Sequence, residues 1–169
     1  MRWRTPLTLL VLLVVVVGAG WYGWEQVDEP VPDNPFTEQR GCSEEQFGEG
    51  DRLQAEQVRV NVYNAGNREG LAGATMDQLR RRGFRPGSAE NAPSDVSVDT
   101  VAIYDRLPES AAVRLVSKQF MGQVEVFRRP DIADGIDIVV GSDYRGIDPS
   151  ASTNVQISSE EDICVPPPR

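Results

Sequence analysis

The stretch that decides the fold reads Val58-Arg59-Val60-Asn61-Val62-Tyr63 and continues Asn64-Ala65-Gly66-Asn67-Arg68-Glu69-Gly70. Its valines alternate with polar residues, and β-branched residues on one face favour a strand. The Asn- and Gly-rich continuation tolerates the positive φ angles of a sharp reversal. Residues 71–83 then carry apolar side chains at helical spacing and end at Gly83, a typical helix stop. A strand, a tight loop and an amphipathic helix are therefore predicted to open a small domain.

The chain downstream predicts four more strands and a second helix. The strands are predicted at 84–90, 99–104, 123–127 and 136–140, and the helix from Pro108 or Ser110 to Gly122. Pro86 and Gly87 favour an edge position for the first strand, whereas the nearly continuous apolar run 136–140 suits a central strand covered on both faces. The order β-α-β-β-α-β-β predicts an α+β fold over residues 58–146. Its small mixed sheet has four or five strands, with two helices packed on one face.

An uncharged segment precedes this domain at residues 7–24. About 18 such residues are near the minimum that spans a hydrocarbon core of about 30 Å. Aromatic residues stand at both ends, with Trp3 on one side and Trp21, Tyr22 and Trp24 on the other. Two arginines, Arg2 and Arg4, precede the segment. This pattern predicts a cytoplasmic N-terminus at 1–6, a transmembrane anchor at 7–24 and an extracytoplasmic remainder. A cleaved signal peptide ending near Gly18-Ala19-Gly20 is the alternative.

Two further segments show little periodicity. Residues 25–57 are rich in Pro, Gly and acids, which predicts a stalk or linker, although Phe36 and Phe47 could pack locally. Residues 147–169 are polar and predict an irregular C-terminal tail.

Composition narrows the possible functions. The net charge of −9 argues against nucleic-acid binding and repels anionic surfaces on average, although a local arginine patch could still act. The chain has no histidine, the commonest general base and metal ligand. We therefore expect no nucleic-acid partner, no cofactor, no metal and no enzymatic activity.

The chain contains two cysteines, Cys42 before the domain and Cys164 after it. In an exported chain an even count predicts a disulfide, which here would tie the tail back across the domain. Two free thiols and intermolecular pairing are the alternatives. No histidine is present to activate a catalytic thiol.

Two groups of residues are candidate ligand sites. The first lies in the loop where the opening strand passes into the helix, and exposed backbone amides there attract the phosphate or sugar of an envelope polymer. The second is the end of the helix, where arginines could contact lipid headgroups or anionic polymers. The candidates are Asn64, Gly66, Asn67, Arg68, Gly70, Arg80, Arg81 and Arg82. Turn chemistry alone would also explain the loop, and helix-dipole stabilisation would explain the arginines.

Other polar groups are weaker candidates. Asp131, Asp134 and Asp137 surround Gly135, but their spacing does not match a calcium-binding EF-hand loop. Carboxylates and serines that could carry acid–base or nucleophilic chemistry occur without any spacing that requires it: Asp105, Glu109, Asp143, Asp148, Ser110 and Ser142.

Several motifs between residues 58 and 144 together resemble the LytR C-terminal domain family. They are Val60-Asn61-Val62-Tyr63-Asn64-Ala65-Gly66, Gly70-Leu71-Ala72, Leu79-Arg80-Arg81-Arg82-Gly83-Phe84, Asn91-Ala92, Thr100-Val101-Ala102-Ile103-Tyr104 and Asp137-Ile138-Val139-Val140-Gly141-Ser142-Asp143-Tyr144. The single anchor and flanking cysteines are similar to members that carry this domain alone. The resemblance implies a cell-envelope protein that supports wall assembly without established catalysis. In longer relatives a phosphotransferase domain precedes this one, and residues 25–57 leave no room for it.

The leading hypothesis is therefore a membrane-tethered extracytoplasmic module that binds peptidoglycan, another envelope glycopolymer or proteins of wall assembly. A binding domain for a lipid or polyprenyl-linked intermediate is the alternative, and it requires an apolar groove. A hydrolase or transferase of wall polymers is the third hypothesis. It requires clustered carboxylates with perturbed pKa values in a cleft.

Overall fold

The computed structural model describes residues 13–15, 43–129 and 132–167. The chain divides into two compact units, Met1–Glu38 and Gln39–Arg169. In the first unit the three described residues are helical and exposed. Among the described residues, no helix has the length and apolarity needed to cross a membrane. Apart from residues 13–15, the predicted anchor lies outside the described residues, so it stays a prediction. Most of the predicted linker also lies outside them.

The second unit contains nine strands and two α-helices within its described part. The strands are β1 (Ser43–Phe47), β2 (Arg52–Gln54), β3 (Arg59–Asn64), β4 (Arg85–Asn91), β5 (Val101–Asp105), β6 (Val124–Arg128), β7 (Ile136–Val140), β8 (Asn154–Gln156) and β9 (Glu161–Val165). The helices are α1 (Leu71–Arg81) and α2 (Ala111–Ser117), and a 3₁₀ turn lies at Ala55–Gln57. From β3 to β7 the order is β-α-β-β-α-β-β, which confirms the prediction.

The main sheet has five strands in the order β4-β3-β7-β5-β6. Strand β3 pairs in parallel with β4 and β7, and β5 pairs in parallel with β6 but antiparallel with β7. The sheet is therefore mixed, as predicted. Strand β7 is central, and all five of its residues are buried. Strand β4 is an edge strand whose pairing with β3 shifts register between Val60 and Val62.

Both helices contribute to one hydrophobic core on one face of this sheet. Residues that alternate along the strands join the apolar stripes of the helices there: Val60, Val62, Val101, Ile103, Ile136, Ile138 and Val140, with Leu71, Met76, Leu79, Val113, Leu115 and Val116. A smaller cluster covers the other face, with Tyr63, Ala102, Tyr104 and Val139 under residues of the 92–98 segment. The period-two pattern of the strands thus separates two buried faces.

The helix ends agree with the sequence in part. Gly83 has φ 101°, which confirms the predicted left-handed stop after α1. Ser110 caps α2, since its Oγ accepts a hydrogen bond of 3.2 Å from the Val113 N–H. Helix α2 ends at Ser117 rather than near Gly122. Gln119 and Phe120 are still buried, although they lie beyond the helix.

The two segments without clear periodicity contain more structure than the sequence predicts. Strand β1 pairs antiparallel with β9, and β2 pairs antiparallel with β8. Leu53 and Ala55, in the predicted linker, are fully buried in the main core, where Ile157 and Ile163 of the predicted tail join them. The linker and tail predictions are therefore corrected for these residues. These strands are short and polar, and their stability comes from partners distant in sequence.

Candidate functional site

The carboxyl ends of three parallel strands meet at one edge of the main sheet. Strands β3, β4 and β7 run in the same direction and end at Asn64, Asn91 and Val140. We call the loops that follow them, 65–70, 92–98 and 141–146, the carboxyl edge. Helix α1 begins at this edge, directly after Gly70. Ligands of α/β sheets commonly bind outside the carboxyl ends of parallel strands, so this edge is the candidate site.

Asn64 fixes the first of these loops. Its Nδ2 donates to the Arg68 carbonyl at 2.9 Å, and its Oδ1 accepts from the Gly66 N–H at 3.0 Å. The Ala65 N–H donates to the Val140 carbonyl at 2.9 Å. The side chain of Asn64 is therefore used within the loop, as turn chemistry predicts, and its role at the site is to position backbone.

The remaining loop candidates face solvent. Asn67, Arg68 and Gly70 are exposed, and Gly70 caps α1 with φ 73° and no side-chain cap. Gly66 lies against the third loop, since a Cβ there would lie 2.9 Å from the Gly141 carbonyl carbon. The structure thus brings the five predicted loop residues together and packs them against residues after β7.

A depression of about 480 Å³ opens between the first two loops of the carboxyl edge. Its lining residues are Asn64, Ala65, Gly66, Asn67, Arg68, Glu69, Gly70, Asn91, Ala92, Pro93, Ser94 and Val96. The charges of Arg68 and Glu69 balance each other, and the other polar side chains are three asparagine amides and the Ser94 hydroxyl. Such groups both donate and accept hydrogen bonds, which suits a ligand rich in hydroxyl groups.

The predicted site residues did not include the side of this depression that residues 91–96 form. Asn91-Ala92 was noted only within the family motifs, and residues 91–98 were predicted only as a loop. The signal that could have located them is the parallel pairing of β3 with β4, because it carries both strand ends to the same edge.

The three arginines at the end of α1, Arg80, Arg81 and the C-cap Arg82, do not form one cluster. Arg80 pairs with Asp77 at 3.0 Å on the surface, and Arg81 is exposed. Arg82 instead turns toward the body of the domain, where its Nε donates to the Gln119 Oε1 at 2.7 Å. It also donates to the carbonyls of Pro149 and Ala151. The predicted ligand role is therefore replaced for Arg82 by a structural one.

The arginines also lie far from the carboxyl edge. Helix α1 begins at that edge and runs for 11 residues before Arg82, which is about 16 Å along its axis. The structure therefore separates Arg80, Arg81 and Arg82 from the loop candidates, and no single small ligand contacts both groups.

The acidic residues near β7 form a structural network. Asp137 is fully buried, and its two carboxylate oxygens accept from the Asn61 Nδ2 at 2.9 Å and from the Ile132 N–H. The Asn61 Nδ2 also donates to the Asp134 carbonyl at 3.2 Å, and its Oδ1 accepts from the Ser88 N–H. Asp131 lies outside the described residues. Within the described ranges no three His, Cys, Asp or Glu residues are placed to hold a metal.

Two tyrosines and one aspartate have shifted pKa values. Burial raises the pKa of Tyr63 to about 12, with smaller contributions from the negative charges of Asp137 and Glu90. Burial also raises the pKa of Tyr144 above its ordinary value. The pKa of Asp148 is lowered because the Ser150 side chain and backbone donate hydrogen bonds to its carboxylate. The Asp148 shift arises within a local turn, which gives no support to a catalytic pair with Asp143.

The Tyr63 shift predicts a loss of stability at high pH. Its folded-state pKa of about 12 exceeds the model-compound value of 10.0, so the folded chain keeps a proton that the unfolded chain loses between these values. The contribution is complete below pH 10 and disappears as the pH rises toward 12. Denaturant unfolding at about pH 9 and about pH 11 should show a loss that Tyr63→Phe reduces by about 1 kcal/mol. An equal loss in Tyr63→Phe would contradict this assignment.

The fold and the edge together define a class: a small mixed α+β module with an open polar depression at the carboxyl edge. The family model described as LytR cell envelope-related transcriptional attenuator matches residues 57–144. The chain belongs to this family, which confirms the resemblance drawn from its motifs. The family description places the chain among cell envelope-related domains.

Two solved structures are similar to this chain. One is the soluble domain of a conserved hypothetical secreted protein from Mycobacterium marinum, an Rv2700 ortholog, with 22% identity over 63% of this chain and 89% of that chain and a TM-score of 0.49. The other is the C-terminal domain of RV0431, solved in solution, with 25% identity over 57% of this chain and 81% of that chain and a TM-score of 0.35. No curated protein matches the sequence.

Proposed function

We propose that this chain is a membrane-tethered, extracytoplasmic and non-catalytic module of the cell envelope that binds an envelope glycopolymer at its carboxyl edge. Membership of the LytR-related family supports the envelope assignment. The uncharged segment at 7–24, with arginines before it and acids after it, supports the tether and the orientation. Proteins of wall assembly are further partners of the same module.

The depression between loops 65–70 and 92–98 is the observation that carries the ligand class. Its lining combines amides, a hydroxyl and balanced charge in an open concave surface. Sugar hydroxyls both donate and accept hydrogen bonds, and asparagine amides match them in both roles. Gly70, the exposed N-cap of α1, also lines this depression, and the positive end of the helix dipole there favours a phosphate of the same polymer.

The described cavities give less support to a lipid or polyprenyl ligand, which needs an apolar groove. A second depression of about 290 Å³ beside α1 is lined by Arg68, Glu69 and Arg145 among others. A third, of about 550 Å³, has a mixed lining: Arg59, Asp105 and Asp134 lie beside apolar residues such as Leu107, Ile136 and Ile163. At the carboxyl edge, the polar lining favours a polar ligand over an apolar chain.

We also propose that Cys42 and Cys164 form a disulfide within one chain. Cys164 lies in β9, where it is the Cα partner of Glu44 in β1, and Ser43, the residue after Cys42, is the partner of Val165. No cysteine among residues 13–15, 43–129 and 132–167 is free. The antiparallel pair thus brings the chain next to Cys42 close to Cys164, which supports the bond.

A binding experiment tests the glycopolymer proposal. The fragment 35–169 is incubated separately with purified cell wall that retains its glycopolymers and with vesicles of the extracted lipids. We expect retention on wall, weakened about tenfold by Asn67→Ala, because one or two hydrogen bonds to a ligand contribute on the order of 1.4 kcal/mol. Asn67 is exposed, so this variant should fold normally.

Arg81→Ala is the matched control, since Arg81 is also exposed but lies at the other end of α1. It should bind wall like the unmodified fragment. Equal loss in both variants would show that binding does not depend on the position of the substitution and would contradict a site at the carboxyl edge. Retention on lipid alone would contradict the glycopolymer assignment and favour the lipid hypothesis.

A further inference from the structure

The two outermost strands of the main sheet, β4 and β6, differ in how they are protected against pairing with other strands. Strand β4 carries Pro86, and its pairing shifts register beside it. Strand β6 has no proline and pairs in unbroken register with β5, its one partner among the described strands. Proteins usually blunt free edges with proline, bulges or covering segments, because an open edge pairs with other strands. In the described part of the chain, β6 lacks these three protections, and the charges of Glu125 and Arg128 are what limits its pairing with other strands.

The side chains of β6 are also exposed. Val126 is 38% exposed and Phe127 is 39% exposed, and Val124 alone is partly buried. Phe127 packs beside Tyr104 with ring centroids 5.6 Å apart, and the Arg129 guanidinium lies 5.1 Å from the centre of the Tyr104 ring. A defined apolar and charged surface therefore accompanies the open backbone edge.

One hydrogen bond fixes which backbone groups face outward. The Arg129 N–H donates to the Asp105 carbonyl at 3.1 Å, toward β5. Backbone groups of a strand alternate between its two neighbours, so Phe127 and Glu125 also direct theirs at β5. Val126 and Arg128 consequently direct their N–H and C=O groups to the open side, where a further strand can pair.

We propose that β6 pairs antiparallel with β6 of a second copy of this chain, across a two-fold axis at Phe127. In this register Val126 faces Arg128 of the second copy, and each such pair exchanges two backbone hydrogen bonds. Phe127 meets its own counterpart as a non-hydrogen-bonded pair, in which side chains approach most closely. Glu125 lies opposite Arg129 of the second copy, and the two-fold axis repeats this ion pair.

The neighbouring registers fit less well. An axis at Val126 places Glu125 opposite Phe127, so neither Glu125 nor Arg129 faces a side chain of opposite charge. An axis at Arg128 places two arginines directly opposite each other, which is destabilising in a sheet. Charge complementarity therefore selects the axis at Phe127, and it identifies the occupant of the edge as a second copy, because the strand complements itself.

Charge exchange tests the pairing in the full-length chain in detergent, with the dissociation constant measured by sedimentation equilibrium. Glu125→Arg or Arg129→Glu replaces both cross-strand ion pairs with like charges, so each single variant should dimerise at least about tenfold more weakly. The double variant restores opposite charges and should dimerise within about threefold of the unmodified chain. Glu125 and Arg129 are both exposed in a single copy of the chain, so the variants should fold.

Glu90→Arg on the opposite edge strand is the control, and it should leave the dissociation constant unchanged. A chain that stays monomeric at every concentration overturns the proposal. A dimer that neither single variant weakens also overturns it, because such a dimer forms elsewhere, for example through the N-terminal segment. Weakening without restoration in the double variant excludes the register at Phe127.

Discussion

Replacement of Gly141 by alanine is expected to lower the free energy of unfolding by about 3 kcal/mol or more. A Cβ at this position would lie 1.9 Å from the Val98 carbonyl oxygen and 2.4 Å from that of Asp99. Both obstacles are backbone atoms, which cannot turn aside as a flexible side chain can. The Gly141 N–H also donates to the Thr100 carbonyl at 2.8 Å, so relief of the clash would break this bond.

Gly73→Ala is the matched control for this substitution. Gly73 is exposed within α1, and a Cβ there meets no atom within 4 Å. Alanine should therefore stabilise the domain by about 0.5–1 kcal/mol, since it restricts the unfolded chain without a clash. Urea unfolding of the unit Gln39–Arg169 measures both variants. A change of less than about 1 kcal/mol in Gly141→Ala would contradict the backbone contact.

The same contact connects stability to the proposed site. The backbone of Gly141 lies directly against Gly66 of the first loop. Gly141 also lies against Val98, the last residue of the second loop, and against Asp99. The three loops are thus held by close backbone approach rather than by long side chains. A Gly141 variant that still folds should bind wall polymer more weakly, whereas Gly73→Ala should bind normally.

The centre of the fold was predictable because its signals are local. Alternating valines in β3, the nearly continuous apolar run of β7 and the helical spacing in α1 each indicate burial from a few neighbouring residues. The element order then limits the topology to a mixed sheet. The parallel and antiparallel pairings needed the structure, since several strand orders satisfy the same sequence.

The outer strands were not predictable from local pattern. Strands β2 and β8 have three residues each, with one buried residue apiece, Leu53 and Val155. Their pairing joins segments about 100 residues apart, and loop-closure entropy must be overcome by contacts that no local window contains. These segments show no clear periodicity because their strands are too short to display one, although they are structured.

The candidate site was predictable only in its first loop. Asn and Gly types indicated the turn after β3, and the structure confirms its internal hydrogen bonds. The role of Arg82 depends on Gln119, which is fully buried and also donates to the carbonyls of Leu115 and Ser152. This network satisfies a buried amide through one local carbonyl and two segments more than 30 residues away, and a run of arginines at a helix end does not reveal it.

Removal of the proposed Cys42–Cys164 disulfide is expected to have an equal or larger effect than the Gly141 substitution. The bond would close a loop of more than 100 residues in the unfolded chain, for which chain entropy gives about 4–5 kcal/mol. The double variant Cys42→Ser with Cys164→Ser should lose about this free energy of unfolding. The proposal predicts no thiol that can be alkylated in denaturant without reductant, and two after reduction.

Strand β1 should respond most strongly, because little else secures it. Four of its five residues are exposed, and Phe47 alone is partly buried against the core. It pairs only with β9 among the described strands, and an isolated two-stranded ribbon is marginally stable in water. Hydrogen exchange should therefore show faster opening of β1 and β9 in the double serine variant, while β7 keeps its protection.

Ser43→Ala, which removes only a weak 3.5 Å bond to the Val165 carbonyl, is the control and should exchange normally. Unchanged exchange in the double serine variant would show that strand pairing alone holds the two ends together.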